Sequence, residues 1–261
     1  MGTFGAAAKR FLYHHLSLKN YLRVVSRLYF VAYRTGWKST IFEYPRFLKY
    51  LAHQGDTIID IGANLGYYAY IFARHVGPEG KVWAVEPVGP ILDVLRRNVK
   101  GLPQVEILPY ALGAEEKSIR MGNDSSRDTG YFGTGQNFVM EQNASAEAAV
   151  EFRAEMRRGS ELFSRLERLD AIKCDIEGYE EVVIPEMAPV IEKFLPAVLI
   201  ETGGEKRTAI RRFFAERGYE AFTLHGNRMR PLEGREDDGK DILFIHSTKK
   251  APFIDRIEPC A

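Results

Sequence analysis

Hydrophobic positions along the chain fall into two regimes. Between residues 9 and 34 they recur at three- and four-residue steps. Leu18, Tyr21, Leu22, Val25, Leu28 and Ala32 make one stripe, and Lys19, Arg23 and Arg27 a second. That period predicts one amphipathic helix over 9–34, stopped near Gly36. A short helix is expected over Leu48–His53, after Pro45. From Thr57 the period shortens. Apolar runs at Thr57–Ile61, Lys81–Glu86, Val105–Pro109, Ala171–Asp175, Ala197–Glu201, Tyr219–Leu224 and Asp241–His246 read as strands. Helical patterns separate most of them, at Ile91–Lys100, Glu180–Phe194 and Thr208–Arg217, the last capped by Gly218. Strands alternating with helices predict an α/β fold with a mostly parallel sheet covered on both faces. His225-Gly226-Asn227-Arg228 is a turn signal, so the final two runs are expected to be antiparallel.

The connection from Ala111 to Leu169 is too long for a simple crossover. It contains GNDSSRDTGYFGTGQN, a loop-like stretch, and then Val150, Phe152, Ala154 and Met156 in strict alternation, as in an additional strand. A loop of this length inside a compact domain points to function or disorder.

A net charge of +1 conceals an asymmetry. Met1–Phe42 carries seven Lys and Arg and no Asp or Glu, leaving −6 on the remainder. A near-neutral total argues against a broad nucleic-acid footprint. The basic helix can pack its apolar stripe on the domain, cover a cleft as a lid, or lie on an anionic membrane surface. Two distant cysteines, Cys174 and Cys260, make no disulfide framework or metal cluster. No apolar run reaches membrane-spanning length, and the first residues lack signal-peptide order. The expectation is a soluble cytoplasmic protein, with packing on the domain as the favoured use of the basic helix and a lid or peripheral contact at the inner membrane face as the alternatives.

The richest stretch is DTIIDIGANLGYYAYIFARHVG, Asp56–Gly77: a strand, a glycine turn and a helix. A dinucleotide site needs G-x-G-x-x-G. Counting from Gly62, its second and third glycines fall on Asn64 and Tyr67. The pattern present, Asp60-x-Gly62-x-Asn64-x-Gly66, resembles the first motif of class I S-adenosylmethionine methyltransferases. That ligand has no phosphate to cradle. It has an amino-acid end, which Gly62 lets the backbone approach and whose ammonium Asp60 can face. Glu86 closes the second strand, where a carboxylate can accept ribose hydroxyl protons.

With DIGANLGYYA, VWAVEP, YALG, IKCDIEGYE, VLIET and the late DILFI in view, the chain resembles the FkbM-type methyltransferases from about Gly55 to His246. The resemblance implies a Rossmann-like sheet of seven strands, mostly parallel with an antiparallel last strand, and O-methylation of a hydroxyl on a sugar, glycolipid, polysaccharide or natural product. It places Asp60, Gly62, Asn64 and Gly66 along the methionine end of S-adenosylmethionine, Glu86 on the ribose, and Tyr110, Ala111 and Leu112 beside the adenine. The organisation that follows is a basic helical segment over 1–50, a methyltransferase domain over 51–249 with an insertion at 114–168, and a tail at 250–261. Acceptor choice is assigned to the N-terminal segment and the inserted loop.

Methyl transfer is an in-line displacement, and an alcohol needs help to lose its proton. Lys173, Asp175 and Glu177 reach the ligand edge at two-residue spacing and face one way if the strand continues. One reading is a Lys173–Asp175 ion pair that fixes the loop. The other makes Asp175 or Glu177 the proton acceptor, or, with Glu201, ligands of a divalent metal. His225 is a further candidate base; His14, His15 and His75 read as structural or surface. Two competing functions remain. A nucleic-acid methyltransferase of the amino-directed kind would carry Asn/Asp-Pro-Pro-aromatic where Asp175-Ile176-Glu177-Gly178 stands. One that methylates cytosine carbon would need a cysteine nucleophile, but Cys174 points opposite Asp175, and Pro259-Cys260 lies at the wrong end of the chain. A non-catalytic cofactor- or membrane-binding module is the other.

Overall fold

The computed structural model describes residues 3–37, 42–140, 148–226, 228–232 and 241–258; Cys260 lies outside them. In chain order the elements are α1 (Thr3–His15), α2 (Leu18–Arg34), α3 (Glu43–Phe47), β1 (Thr57–Ile61), α4 (Tyr67–Val76), β2 (Lys81–Val85), α5 (Gly89–Asn98), β3 (Val105–Leu108), β4 (Tyr110–Leu112), β5 (Lys117–Asn123), α6 (Ser125–Thr129), β6 (Phe138–Met140) and β7 (Val150–Arg157). There follow α7 (Gly159–Leu162), β8 (Ala171–Cys174), α8 (Glu180–Glu186), α9 (Ala188–Phe194), β9 (Ala197–Glu201), α10 (Gly204–Ala215), β10 (Tyr219–His225), β11 (Arg228–Pro231) and β12 (Asp241–His246).

The main sheet has the order β11-β10-β12-β9-β8-β1-β2-β3. The strands from β3 through β2, β1 and β8 to β9 run parallel, and β12 is antiparallel to both β9 and β10. The sheet therefore has eight strands where seven were expected. The additional one is β11, which folds back on β10 with Leu224 opposite Met229. The turn near Gly226 thus joins β10 to this edge strand rather than to β12. Pro231 ends it, as suits an edge strand with one side unpaired.

A second sheet, β4-β7-β5-β6, accounts for the long connection. Only β7 was legible, through its alternation. β4 is three residues long and begins directly after Pro109, where the chain leaves the main sheet. The glycine-rich stretch that reads as loop contains the end of β5 and the short α6. Two further helices differ from expectation. The single helix over 9–34 is broken at Ser17, whose ψ of 151° is extended, so that α2 leaves α1 at its own angle. The helix over Glu180–Phe194 is divided at Met187, because Pro189 lacks the N–H a continuous helix needs and sits instead in the first turn of α9. The short helix expected over Leu48–His53 begins earlier, as α3 followed by a 3-10 turn at Leu48–Tyr50.

Each face of the main sheet carries an apolar cluster. Ile58, Phe72, Val82 and Leu95 lie on the side of α4 and α5, and Ile59, Ile61, Ile172, Val183 and Phe214 on the side of α8 to α10. A third cluster joins α2 and α5 to the second sheet through Tyr21, Leu22, Val94, Ile119, Phe132 and Met156. The Tyr21 hydroxyl donates to the Phe132 carbonyl at 2.9 Å. The basic segment and the insertion therefore share one core. Leu22 is fully buried there, so Leu22→Ala should lower unfolding free energy by about 2–5 kcal/mol, read as a reduced urea midpoint with an unchanged slope.

Candidate cofactor and catalytic site

The parallel strands bring their carboxyl ends to one edge, where the β1–α4 turn, the end of β2 and the β8–α8 loop meet. Gly62 starts the turn at φ +74°. A β-carbon there would stand 1.9 Å from the Asp175 carbonyl oxygen. The glycine is thus demanded by the neighbouring loop, in addition to any ligand. Asn64 is left-handed, at φ 51°. Its backbone N–H donates to Glu86 Oε2 at 3.0 Å, and its Oδ1 accepts from the Leu65 N–H at 2.8 Å. Gly66, at φ +83°, stands before the first residue of α4.

Glu86 follows β2 and is nearly inaccessible to solvent. Its Oε1 accepts from the Val88 N–H at 2.9 Å. Each carboxylate oxygen is thereby anchored by one backbone donor and keeps a lone pair for another. Burial pushes the acid up to about 7, against the pull of the Val88 and Asn64 N–H groups.

Beside the turn lies a buried charge cluster. Lys173 stands in β8 with Asp60 of β1 as its register neighbour. Its Nζ is 3.3 Å from Asp175 Oδ2 and 3.7 Å from Asp60 Oδ1, donates to the Gly62 carbonyl at 3.1 Å, and lies 5.0 Å from the Tyr68 ring centre. Burial alone would lower the ammonium; Asp175 and Asp60 outweigh it and hold it above its ordinary value. Asp60 is 0% exposed, and neither oxygen reaches hydrogen-bond geometry with a protein group. Burial lifts it to about 6, with Lys173 opposing. Two carboxylates thus face one ammonium in this cluster.

The three residues at two-residue spacing do not all face one way. β8 ends at Cys174, and Glu177 takes φ 56° and is exposed. Asp175 turns back to Lys173, while Glu177 reaches into a separate cleft of about 1070 Å³ between the second sheet and α8, lined among others by Arg120, Arg153, Glu155, Tyr179 and Lys206. Lys206 Nζ donates to the Gly178 carbonyl at 2.6 Å, and the buried Glu180 accepts from the Ile176 N–H at 2.9 Å, so this loop is tied at both ends. The cleft meets the β1–α4 turn at Gly135: a β-carbon there would lie 3.4 Å from Glu177 Oε1 and 3.6 Å from Asn64 Nδ2. Among the described residues no three His, Cys, Asp or Glu gather as a metal site, so the set Asp175, Glu177 and Glu201 does not assemble. The Cys174 thiol is buried and pushed up by burial, opposite to an activated nucleophile. His225 ends β10, and its side chain falls outside the described part.

Tyr110, Ala111 and Leu112 form β4. The Arg157 guanidinium covers the Tyr110 ring at 5.5 Å, and Ala111 and Leu112 are buried in packing. Sequence reasoning passed over Tyr68, Glu180 and Gly135. Glu180 lay inside the quoted motif, four residues after Ile176, as a side chain that closes a loop on its own helix does. The position of Gly135 had no local signal.

A doubly wound sheet with this turn, this terminal acid and this edge is that of a Rossmann-like class I methyltransferase. The model of the methyltransferase FkbM domain matches residues 60–221, and the chain belongs to that family. The model of protein-L-isoaspartate(D-aspartate) O-methyltransferase matches residues 9–110. Curated relatives are the protein-L-isoaspartate O-methyltransferases of Ignicoccus hospitalis, 35% identical over 49 residues (19% of this chain, 23% of that protein), and of Methanothrix thermoacetophila, 34% identical over 47 residues (18% and 22%). The match spans less than a quarter of those proteins' length. Among solved structures, FkbM methyltransferase from Methylobacillus flagellatus KT is 14% identical over 75% of this chain and 45% of that chain, with a TM-score of 0.49. Fibrillarin from Aeropyrum pernix, in complex with natively bound S-adenosyl-L-methionine, is 13% identical over 74% and 67%, with a TM-score of 0.42.

Two predictions follow from Glu86 and Gly62. An unfolded glutamate titrates near 4.5 and the folded one near 7. Between those values the folded form holds the extra proton, so the contribution of Glu86 to stability falls as pH rises through that window. A ligand that needs the carboxylate loses affinity in the other direction, approaching tenfold per unit as pH falls below about 6.5. Calorimetric titration with S-adenosylmethionine should show this slope between pH 7 and 6. Glu86→Gln should weaken binding by about 1–3 kcal/mol and flatten the slope there, leaving only that of Asp60 below 6. Gly62→Ala should abolish binding and lower the melting temperature, because the Asp175 carbonyl leaves no room for a methyl group.

Proposed function

We propose that the chain transfers a methyl group from S-adenosylmethionine to a hydroxyl of a polar acceptor, with a sugar, glycolipid or polysaccharide unit as the acceptor class. The observation that carries the cofactor assignment is Glu86, a buried carboxylate pinned by the Asn64 and Val88 N–H groups beside the Gly62 turn, with acceptor capacity left on both oxygens. The residues present fit the group. Glu86 would take the ribose hydroxyls and the Gly62–Asn64 turn the amino-acid end. Asp60, a buried acid with neither oxygen in hydrogen-bond geometry and Lys173 at 3.7 Å, supplies negative potential beneath it. Two carboxylates, Asp60 and Asp175, set against the one ammonium of Lys173 suit a ligand that carries a net positive charge. The bound cofactor supplies an electrophilic methyl on a sulfonium.

The chain's own residues supply the rest. Lys173 holds Asp175 and the Gly62 carbonyl together and fixes the two loops against each other. Asp175 is committed to that ion pair, so Glu177, which lines the cleft, accepts the proton that the acceptor hydroxyl gives up. The cleft suits a hydroxylated ligand. Arg120, Arg153, Glu155 and Lys206 present hydrogen-bonding groups, with Tyr179, Phe138 and Val139 as the apolar share. The Gly135 loop brings the cleft to the cofactor turn, where the reacting oxygen must sit near attack distance. The likeness to isoaspartate methyltransferases covers the cofactor half, which methyltransferases of many acceptors have in common, and leaves the cleft unmatched.

Glu177→Gln should lower kcat about 10²–10⁴-fold while leaving the dissociation constant of S-adenosylmethionine unchanged. The assay is transfer of isotopic methyl to a panel of mono- and oligosaccharides, with isoaspartyl peptides and RNA alongside. Methylation of the peptides or RNA with none on hydroxyl acceptors would overturn the acceptor assignment. NAD binding in place of S-adenosylmethionine would overturn the cofactor assignment.

A further inference from the structure

A second cavity, of about 580 Å³, opens on the far side of the cofactor turn, between α2 and the helices α4 and α5. Its lining includes Arg23, Arg27, Arg34 and Arg97, and no Asp or Glu. Like charges at close quarters repel, and helix faces ordinarily offset them with acids at three- or four-residue spacing. Here the offset is small. Asp93, nearby on α5, is engaged by Lys19 at 3.1 Å and Arg96 at 3.6 Å. Arg34 donates to the Tyr70 hydroxyl at 3.0 Å, with its guanidinium 5.9 Å from the Phe30 ring centre and 5.6 Å from that of Tyr70. That arrangement orients a cation without neutralising it. Arg23 donates to Asn20 at 3.5 Å and adds its field to those of Lys19 and Arg96 at Asp93. The guanidinium groups of Arg27 and Arg97 have no hydrogen-bond or ion-pair partner among the described residues.

The rim of the same helix is apolar. Leu28 is 57% exposed, Val31 52%, and Trp37, just past the end of α2, 67%. On a helical projection Val24 and Val31 lie beside Arg27 and Arg34 (positions i and i+7 beside i+3 and i+10), so one outward surface presents guanidinium groups along a strip of aliphatic side chains. Arginines that match phosphate geometry, next to apolar side chains and an exposed tryptophan, are the composition that holds a helix in a lipid headgroup layer. A soluble phosphate ligand would use the arginines and leave Leu28, Val31 and Trp37 in water.

We propose that this groove binds the phosphate of an anionic phospholipid headgroup, with Leu28, Val31 and Trp37 entering the acyl boundary, so that the protein works while seated on a membrane surface. Among the described residues no helix is long and apolar enough to cross a membrane, and the contact is peripheral. Asn98, which lines the groove, donates to the Leu65 carbonyl of the cofactor turn and to Ser26 of α2, both at 2.6 Å. The lipid-facing surface is thereby fastened to the cofactor turn.

The test is flotation of the full chain with vesicles of phosphatidylcholine alone or with phosphatidylglycerol. The charge variant is Arg27→Gln with Arg97→Gln, and the apolar variant Leu28→Ser with Val31→Ser. A control variant, Arg165→Gln with Arg228→Gln, removes the same charge elsewhere. Expected is binding to phosphatidylglycerol vesicles only, weakened about 30-fold by the charge variant, reduced by the apolar variant and kept by the control. Unchanged circular dichroism and S-adenosylmethionine affinity in every variant would show that the fold and cofactor site are intact. Equal binding to neutral vesicles, an equal loss in the control, or binding of inorganic phosphate at the groove without vesicle binding would each overturn the proposal.

Discussion

Lys173 is an ammonium placed in the middle of a parallel sheet, a position where an unpaired cation would cost several kcal/mol. It is retained because three groups converge on it: Asp175 at 3.3 Å, the Gly62 carbonyl at 3.1 Å and Asp60 at 3.7 Å. Two of these belong to β1 and its turn, and one to the loop after β8. The cation therefore fixes the separation of two loops that backbone pairing alone would leave free, since β1 and β8 part company beyond Ile61 and Cys174. The same closeness forces Gly62 to lack a side chain, because the Asp175 carbonyl occupies the place of its β-carbon. A buried ion pair adds little to stability compared with apolar packing. Its use here is positional, at the one edge where position governs the chemistry.

The geometry propagates from that point. With Gly62 held, Asn64 turns left-handed and presents its N–H to Glu86, which ties the end of β2 to the turn after β1. Glu86 is thus oriented before any ligand arrives. The ordering cost falls on folding rather than on binding. Burial raises Glu86 and Asp60 together, to about 7 and about 6. Two acids held part-way to protonation in a free site gain most from a cationic ligand, because its arrival restores the charge that burial disfavours. The electrostatics of the free site thereby select for positive charge and against the pyrophosphate of a dinucleotide.

Much of this was legible in the chain, for reasons that differ by element. The parallel strands read clearly because both faces are covered and the runs are continuous. The Asp60–Gly66 turn and Glu86 read clearly because spacing along a strand–turn–helix unit is rigid. What did not read was whatever depends on partners far away. β4 and β6 are three residues each, and β5 runs into glycine-rich sequence; they are strands only because the second sheet pairs them, β7 with β4 and β5, and β5 with β6. β11 exists because β10 offers an open edge. Lys173, Asp175 and Glu177 looked like one constellation because period-two reasoning was carried past the end of β8. The left-handed Glu177 sends the last of them to the other cleft. Gly135 could be placed only by the fold, through contact with residues more than forty positions to its C-terminal side and seventy to its N-terminal side.

The N-terminal helices show the same limit and what lies beyond it. Their amphipathic stripe predicted packing, a lid or a membrane contact as alternatives, as if one face had one use. In the fold, α2 uses two faces. Tyr21, Leu22 and Phe30 turn inward, and Tyr29 stacks on Tyr67 at 3.6 Å. Tyr67 is the first residue of α4 and one of the two positions where a dinucleotide turn would have glycine. A glycine there would remove the ring that Tyr29 braces, so the residue that departs from the dinucleotide pattern also anchors the basic helix behind the β1–α4 turn. The outward face, with Arg27 and Val31, is then presented on a rigid support rather than on a mobile arm. A surface held this way contacts whatever lies outside the protein without loosening the site beneath it, because the hydrogen bonds from Asn98 and the stack on Tyr67 are made within the fold and do not depend on the outer partner.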